Sequence, residues 1–426
     1  LIALGMFVTA LALLLLGIPV AFVFGAVAVG TALIVPELGV EVFSLMPYRI
    51  YGIMNNTTLM AVPLFIAMGL ILERSKMAEQ LLLSMSALFG GVRGGLAISV
   101  VLVGALLAAS TGIVSASVVM MSVIALPLMI KAGYDKSLSS GTIASSGTLG
   151  QIIPPSIILI ILGDVMSVSV GDLFKGALLP GLVLVALYIL YIIILGLLKP
   201  SLMPPIKSER IDILATIKAI LPPLALMFIV LGSIFAGVAS PTESAAFGVI
   251  GALLLAVINR AFSFAMLRFV LLESVKLSGM IFMILIGATA FSLVFNELGG
   301  SDIILEFFGH DIGNVWIFIA IAMLAIFVLG FFIDFIEISF IIVPILVPVM
   351  HAFGIDPIWF AVLIALNLQA SFLTPPFGLS LFFLKGAARN SVTTLQIYRG
   401  VIPFILLQLL TIAIVVLFPD LVFAFL

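Results

Sequence analysis

Two carboxylates stand where a hydrophobic sequence should not carry them. Asp334 and Glu337 lie in the otherwise apolar run 317–350, and ionisable groups at membrane depth are costly and usually functional. They could face a bound cation, relay protons, or hold a hairpin tip by hydrogen bonds; a tip opening on an aqueous vestibule would keep them cheaply solvated. Hydroxyls, glycines and prolines cluster in three further stretches, Ser110 to Ser117, Ser145 to Ser156 and Gln369 to Gly378. Pro154-Pro155 and Pro375-Pro376 must interrupt any helix there, because proline removes a donor and clashes with the preceding turn. Freed carbonyls and neighbouring hydroxyls are oxygen ligands suited to Na⁺, while helices that restart past a break favour an anion. Thr374, directly before Pro375, is the hydroxyl expected to matter most in its break. Small residues can also serve only to let helices pack closely; a small-residue tip facing a doubly broken helix, present twice, favours ion binding.

Other chemistry has little support. The sequence has no P-loop, nucleotide fold, metal-ligand cluster or nucleophile–base pair, so an enzyme is not expected, and neither is a nucleotide or redox cofactor. No cysteine occurs, which removes disulfides and thiolate chemistry. His310 and His351 are far apart in the chain, and no metal site is expected from them. Nucleic acid is not an expected partner.

Composition then states what must position these residues. Apolar residues make up 64% of the 426 and charged ones 8%, against roughly 45–50% apolar in soluble domains. That predicts an all-α integral membrane protein in a lipid bilayer. The first apolar segment has no basic flank before it, unlike a cleavable signal peptide.

Helices are expected at about 2–16 and 19–35, divided by Gly17-Ile18-Pro19. A third span is expected from Tyr48 to Leu72, then an interfacial arm from Met77 to Phe89. A re-entrant hairpin is expected at about 96–130, a broken helix at about 139–163, and a span at about 176–198. The polar stretch from Pro200 to Pro223 supplies a cytoplasmic linker, 201–221. The order then recurs, with spans either side of Ser240-Pro241-Thr242, an arm from Phe262 to Lys276 and a span from Leu277 to Phe295. A second hairpin is expected at about 317–350 and a second broken helix at about 360–384.

The landmarks are offset by about 221 positions: Pro154 with Pro375, Pro127-Leu128-Met129 with Pro348-Val349-Met350, and Gly133-Tyr134-Asp135 with Gly354-Ile355-Asp356. The chain therefore reads as a repeat, 1–200 and 222–426. Each half holds five spans, a re-entrant hairpin and an arm. With the N-terminus outside, every Lys and Arg except Arg49 and Lys175 falls inside, as the positive-inside bias requires. An odd number of crossings per half makes the repeat inverted. Glu243 is read as a helix cap and Asn367 as an interhelical bond; each is also a weaker candidate for function.

The motifs Gly147-Thr148-Leu149-Gly150, Ile153-Pro154-Pro155-Ser156, Asn367-Leu368-Gln369 and Phe372-Leu373-Thr374-Pro375-Pro376-Phe377-Gly378 resemble the large membrane subunit of TRAP transporters. These are the tripartite ATP-independent periplasmic systems, and the resemblance covers essentially the whole chain. It implies a scaffold and a moving transport domain, elevator-type alternating access, and coupling to Na⁺ in a bacterial inner membrane. It also implies a small four-helix membrane subunit, separate or fused, and a soluble periplasmic substrate-binding protein that delivers an organic acid anion. Carried onto this sequence, one Na⁺ lies near Ser110, Thr111, Ser115, Gly147 and Gly150, the other near Gly330, Asp334, Ser371 and Thr374. Ser117, Glu337, Asn367 and Gln369 are the substrate-facing candidates. Ser371 and Phe377 depart from the Gly and Val of many relatives. The second-half motifs look more like the branch for 2-oxo acids and related monocarboxylates than the sialic-acid branch. The alternative is a stand-alone sodium/organic anion symporter of the related two-hairpin superfamily.

Overall fold

The computed structural model describes residues 2–75, 77–111, 114–205 and 213–426; side chains at 78, 108–111, 213–215 and 310–311 fall outside that description. All regular elements among the described residues are helical. Helices α1 (Ile2–Leu15) and α2 (Val20–Ile34) divide at Gly17-Ile18-Pro19, where Gly17 takes a positive φ. Next come α3 (Met46–Met54), α4 (Ala61–Arg74) and α5 (Met77–Phe89). The third span expected over 48–72 is thus two helices. Asn56 explains the division: its Oδ1 accepts from the backbone N–H of Thr58 at 3.0 Å and of Leu59 at 3.2 Å, offering the chain a turn in place of a helix.

A hairpin follows, α6 (Gly95–Thr111) and α7 (Val114–Lys131), then α8 (Lys136–Thr148), a tight turn at Leu149–Gln151, α9 (Ile157–Val165) and α10 (Val170–Leu198). The second half holds α11 (Ile213–Phe235), α12 (Pro241–Ile258), α13 (Phe264–Glu297) and α14 (Gly300–Glu306). After them come α15 (Val315–Leu329), α16 (Phe335–Ala352), α17 (Pro357–Leu373), α18 (Leu379–Ala387), α19 (Thr394–Leu417) and α20 (Asp420–Phe423). By length and composition, seven helices among the described residues can cross a membrane: α7, α10, α11 from Thr216, α12, α13, α16 and α19. The protein is an all-α integral membrane protein.

Three expectations are corrected. The second-half arm is not a separate element, because α13 runs unbroken for 34 residues. No proline interrupts 275–278, and Lys276 pairs with Glu273 one turn back at 2.6 Å. The linker expected over 201–221 already holds the first turns of α11 from Ile213, which carries Pro222 and Pro223 in its interior; residues 206–212 lie outside the described residues. Finally, both hairpin tips are shorter than the polar runs suggest. Ser115 and Ser117 belong to α7, and Glu337 and Ser339 to α16.

Matching landmarks take matching conformations. Gly133 and Gly354 both adopt positive φ, and Asp135 and Asp356 both cap the helix that follows, Asp135 accepting from Leu138 N–H and Asp356 from Ile358 and Trp359 N–H. Glycine relieves the left-handed turn, and the carboxylate satisfies first-turn donors. Both Pro–Pro bonds, 154–155 and 375–376, are cis.

Helices α2, α4, α12 and α13 pack on one another, and α7, α8, α17, α18 and α19 form a second group. Within the latter, α8 and α19 approach backbone to backbone at Gly141 and Gly400. A Cβ added to Gly141 would collide with the Gly400 carbonyl, and one added to Gly400 with the Ser137 carbonyl. We predict that Gly141→Leu lowers thermal stability in detergent by about 1–3 kcal/mol or abolishes folded yield. Gly25→Ala, which meets no atom within 4 Å, should be neutral or stabilising by up to about 1 kcal/mol.

Candidate functional site

Each hairpin packs on a broken helix. In the first half, Gly147 lies directly against α7: a Cβ there would come within 2.5 Å of Val118 Cγ2 and 3.1 Å of the Val118 backbone. In the second half, Gly330 lies against the Ser371 side chain so closely that a Cβ would overlap its hydroxyl. Two ring pairs bring the same segments together, Phe335 with Phe372 at 6.1 Å between centroids and Phe332 with Phe377 at 5.1 Å. The halves also interlock, α7 touching α18 while α16 touches α9.

The breaks free backbone carbonyls, and hydroxyls take up part of the deficit. Ser156 donates to Gln151 O at 2.8 Å and Ser380 to Phe372 O at 2.7 Å, two carbonyls 221 positions apart. Thr374 donates to Ala370 O and Ser371 to Leu368 O, each at 2.8 Å. A hydroxyl that gives its proton to a carbonyl keeps its oxygen lone pairs for another partner. Ser371 and Thr374 therefore suit a cation, beside a hairpin that carries Asp334. Asp334 caps α16, its Oδ1 accepting from Phe335 N–H at 2.6 Å. Among the described residues no three His, Cys, Asp or Glu side chains gather. The donor set is hydroxyl, carbonyl and one carboxylate, which fits Na⁺ better than a transition metal.

A cleft of about 100 Å³ lies between the hairpins, the broken helices, and residues Ile66, Leu277, Met280 and Ile281. Its lining includes Val114, Ile157, Phe335 and Leu379, which are the first residues of α7, α9, α16 and α18. Four helix N-termini thus converge on one space. Helices α9 and α18 have no side-chain cap at that end, so first-turn N–H groups there are donors without a side-chain acceptor. Among the described residues, the polar side chains lining it are Ser115 and Asp334, and no Lys or Arg is among them. Converging N-termini supply the positive partial charge that basic side chains would otherwise bring.

Of the predicted residues, Ser115 and Asp334 line this cleft. Gly147, Gly150 and Ser371 are buried behind it, and Thr374 is half-buried. The side chains of Ser110 and Thr111 lie outside the described residues. The four residues expected to face substrate are elsewhere. Ser117 is fully buried in α7. Glu337 lines a separate apolar crevice against Phe7, Ala10, Leu11 and Phe24, with Oε2 buried and without a hydrogen-bond partner among the described residues. Asn367 donates to Met323 O at 2.7 Å, an interhelical bond. Gln369 is fully buried, its Nε2 3.5 Å from Thr148 Oγ1. Both amide atoms of Gln151, Gln369 Oε1 and Ser339 Oγ are buried without a hydrogen-bond partner among the described residues. Glu243 completes a capping box with Ser240. The framework wall of the cleft had no signal in sequence, because Ile66, Met280 and Ile281 look like any membrane-facing residue.

The family profile described as "Tripartite ATP-independent periplasmic transporter, DctM component" matches residues 7–421. The ectoine TRAP transporter large permease protein TeaC of Halomonas elongata is 30% identical over 418 residues, 97% of this chain and 96% of that protein. The C4-dicarboxylate TRAP transporter large permease protein DctM of Pseudomonas aeruginosa is 31% identical over 375 residues, 87% of this chain and 86% of its own. The sialic acid TRAP transporter large permease protein SiaM of Vibrio cholerae is 28% identical, with 96% and 95% covered. In solved structures, the Alcanivorax borkumensis YdaH transporter superposes with a TM-score of 0.64 at 14% identity, covering 98% of both chains.

The contact between Gly330 and Ser371 gives a direct test. Gly330→Ala should destabilise the purified protein, and Gly330→Ala/Ser371→Gly should recover part of the loss, with a coupling of about 0.5–3 kcal/mol in a double-mutant cycle of thermal or denaturant stability. Strictly additive losses would place the two residues apart.

Proposed function

The chain belongs to the DctM component family of tripartite ATP-independent periplasmic transporters, and from that premise we propose that it imports small organic acid anions together with Na⁺. The observation that carries the anion is the convergence of four helix N-termini on a cleft with no basic side chain among its described lining residues. Relatives named for C4-dicarboxylates and for sialic acid carry organic acids, which supports the same cargo class.

Na⁺ travels as co-substrate. One ion is held near Ser110, Thr111, Ser115, Gly147 and Gly150, and the other near Gly330, Asp334, Ser371 and Thr374. Each site closes a hairpin tip onto a break, so filling it tightens the walls around the anion. The positive charge of the ions adds to that of the helix ends, which lowers the cost of taking a carboxylate out of water.

Movement follows from a repeat of about 221 residues, 1–200 and 222–426, in opposite orientations. The contact between Thr148 and Gln369 supports it, because repeat-equivalent residues touch only near the axis that relates them. Helices α1 to α5 and α11 to α14 act as the scaffold, and α6 to α10 with α15 to α20 as the unit that slides across the membrane. The N-terminus is periplasmic and the membrane is the bacterial inner membrane. A small four-helix subunit completes the membrane part, and a soluble periplasmic protein delivers the anion.

Proteoliposomes holding both membrane subunits, with the soluble protein outside, test this. An inward Na⁺ gradient should drive uptake, and replacing it with K⁺ should abolish uptake. Uptake that ignores Na⁺ would sink the coupling; uptake without the soluble protein would point to a stand-alone symporter. Asp334→Ala, Thr374→Ala and Ser115→Ala should each raise the Na⁺ concentration for half-maximal uptake by about tenfold, equivalent to about 1.4 kcal/mol. An unchanged Na⁺ dependence in all three would refute the sites.

A further inference from the structure

A polar seam lies away from the central cleft, where α9 ends and α10 begins. A cavity of about 430 Å³ there is lined on one side by Asn56, Thr58 and Pro241, and on the other by Asp164, Ser167 and Ser169. Asn56 and Thr58 lie in the loop joining α3 to α4 and Pro241 opens α12, all assigned above to the scaffold, whereas the last three belong to the broken-helix unit. Asn56 Nδ2 donates to Asp164 Oδ1 across the seam at 2.5 Å.

Asn56 is held for this purpose from three directions. Its Oδ1 is engaged by the N–H groups of Thr58 and Leu59, which fixes the carboxamide plane and aims Nδ2 outward. The next carbonyl, Thr57 O, accepts from Thr242 Oγ1 at 2.6 Å, tying the loop to the first turn of α12. That turn is itself closed by the reciprocal bonds between Ser240 and Glu243. The donor is therefore fixed to the scaffold, and the acceptor sits in the last turn of the first broken helix. The neighbouring contact between the two units is apolar: a Cβ on Gly171 would lie 3.4 Å from Ile234 Cγ2. An apolar contact can slide without losing a directional bond, whereas a hydrogen bond to a carboxylate cannot.

The geometry points to a latch: the bond from Asn56 to Asp164 holds the broken-helix unit against the scaffold in this state, and it must open for the unit to move. This rests on the two-body reading of the transport cycle given above. It adds which contact marks the closed end of the stroke, and it makes Asn56 and Asp164 positioning residues rather than ligands.

The chain has no cysteine, so Asn56→Cys/Asp164→Cys introduces the sole pair of thiols. In the complete membrane complex in proteoliposomes, mild oxidation should join them and lower Na⁺-driven uptake at least tenfold, and a reductant should restore it to within about twofold of the unoxidised variant. A disulfide that forms without slowing uptake overturns the latch, and so does failure of the pair to join in folded protein. Wild type and the reduced variant are assayed alongside; if neither takes up anion on a Na⁺ gradient, the transport reading fails instead. The latch is then judged by the rate of disulfide formation in Na⁺ and in K⁺, with and without the soluble protein. A rate that changes severalfold among these conditions supports it, and one rate throughout contradicts it.

Discussion

A helix interrupted inside a bilayer leaves backbone donors and acceptors that no lipid can satisfy, and the arrangement of this protein follows from how it meets that demand. The carbonyls freed at Gln151 and Phe372 are taken by the hydroxyls of Ser156 and Ser380. The N–H groups freed where α9 and α18 restart have no side-chain cap and open on the central cleft. The freed carbonyls are thus closed internally, and in the proposed function the helix ends are left for the cargo anion. In that reading the same interruption that makes the fold costly supplies the binding surface.

The proposed recognition through backbone N–H groups has a consequence for the family. Those donors do not depend on side-chain identity, so a fold that uses them can serve cargoes of different shape. Relatives named for ectoine, C4-dicarboxylates and sialic acid, 28–31% identical to this chain, fit that picture. In that proposal, cargoes are distinguished by the apolar wall at Ile66, Met280 and Ile281 together with Ser115 and Asp334, which line the cleft.

Much of this was legible in the residues because membrane insertion writes large penalties into the sequence. Adjacent prolines located both breaks, paired Gly and Asp residues located both turns before them, and hydropathy set the helical class. Less visible was anything decided by direction within a helix. Glu337 is as acidic as Asp334 and only three positions away, yet it faces α1 and α2 rather than the cleft. Asn367 and Gln369 are polar in a broken helix, but one bonds a neighbouring helix and the other sits at the seam between the breaks. The bond between Asn56 and Asp164 joins residues 108 positions apart, which local pattern does not report.

The proposed transport rests on an anion held by helix ends and not by basic side chains. A structure of the complete membrane complex with Na⁺ and its cargo bound is the decisive test. A carboxylate is expected within hydrogen-bond distance of the first-turn N–H groups at Ile157 or Leu379, inside the cleft. A cargo carboxylate paired instead with Arg49, Lys175 or any other basic side chain, with the helix ends facing lipid or empty space, would contradict it.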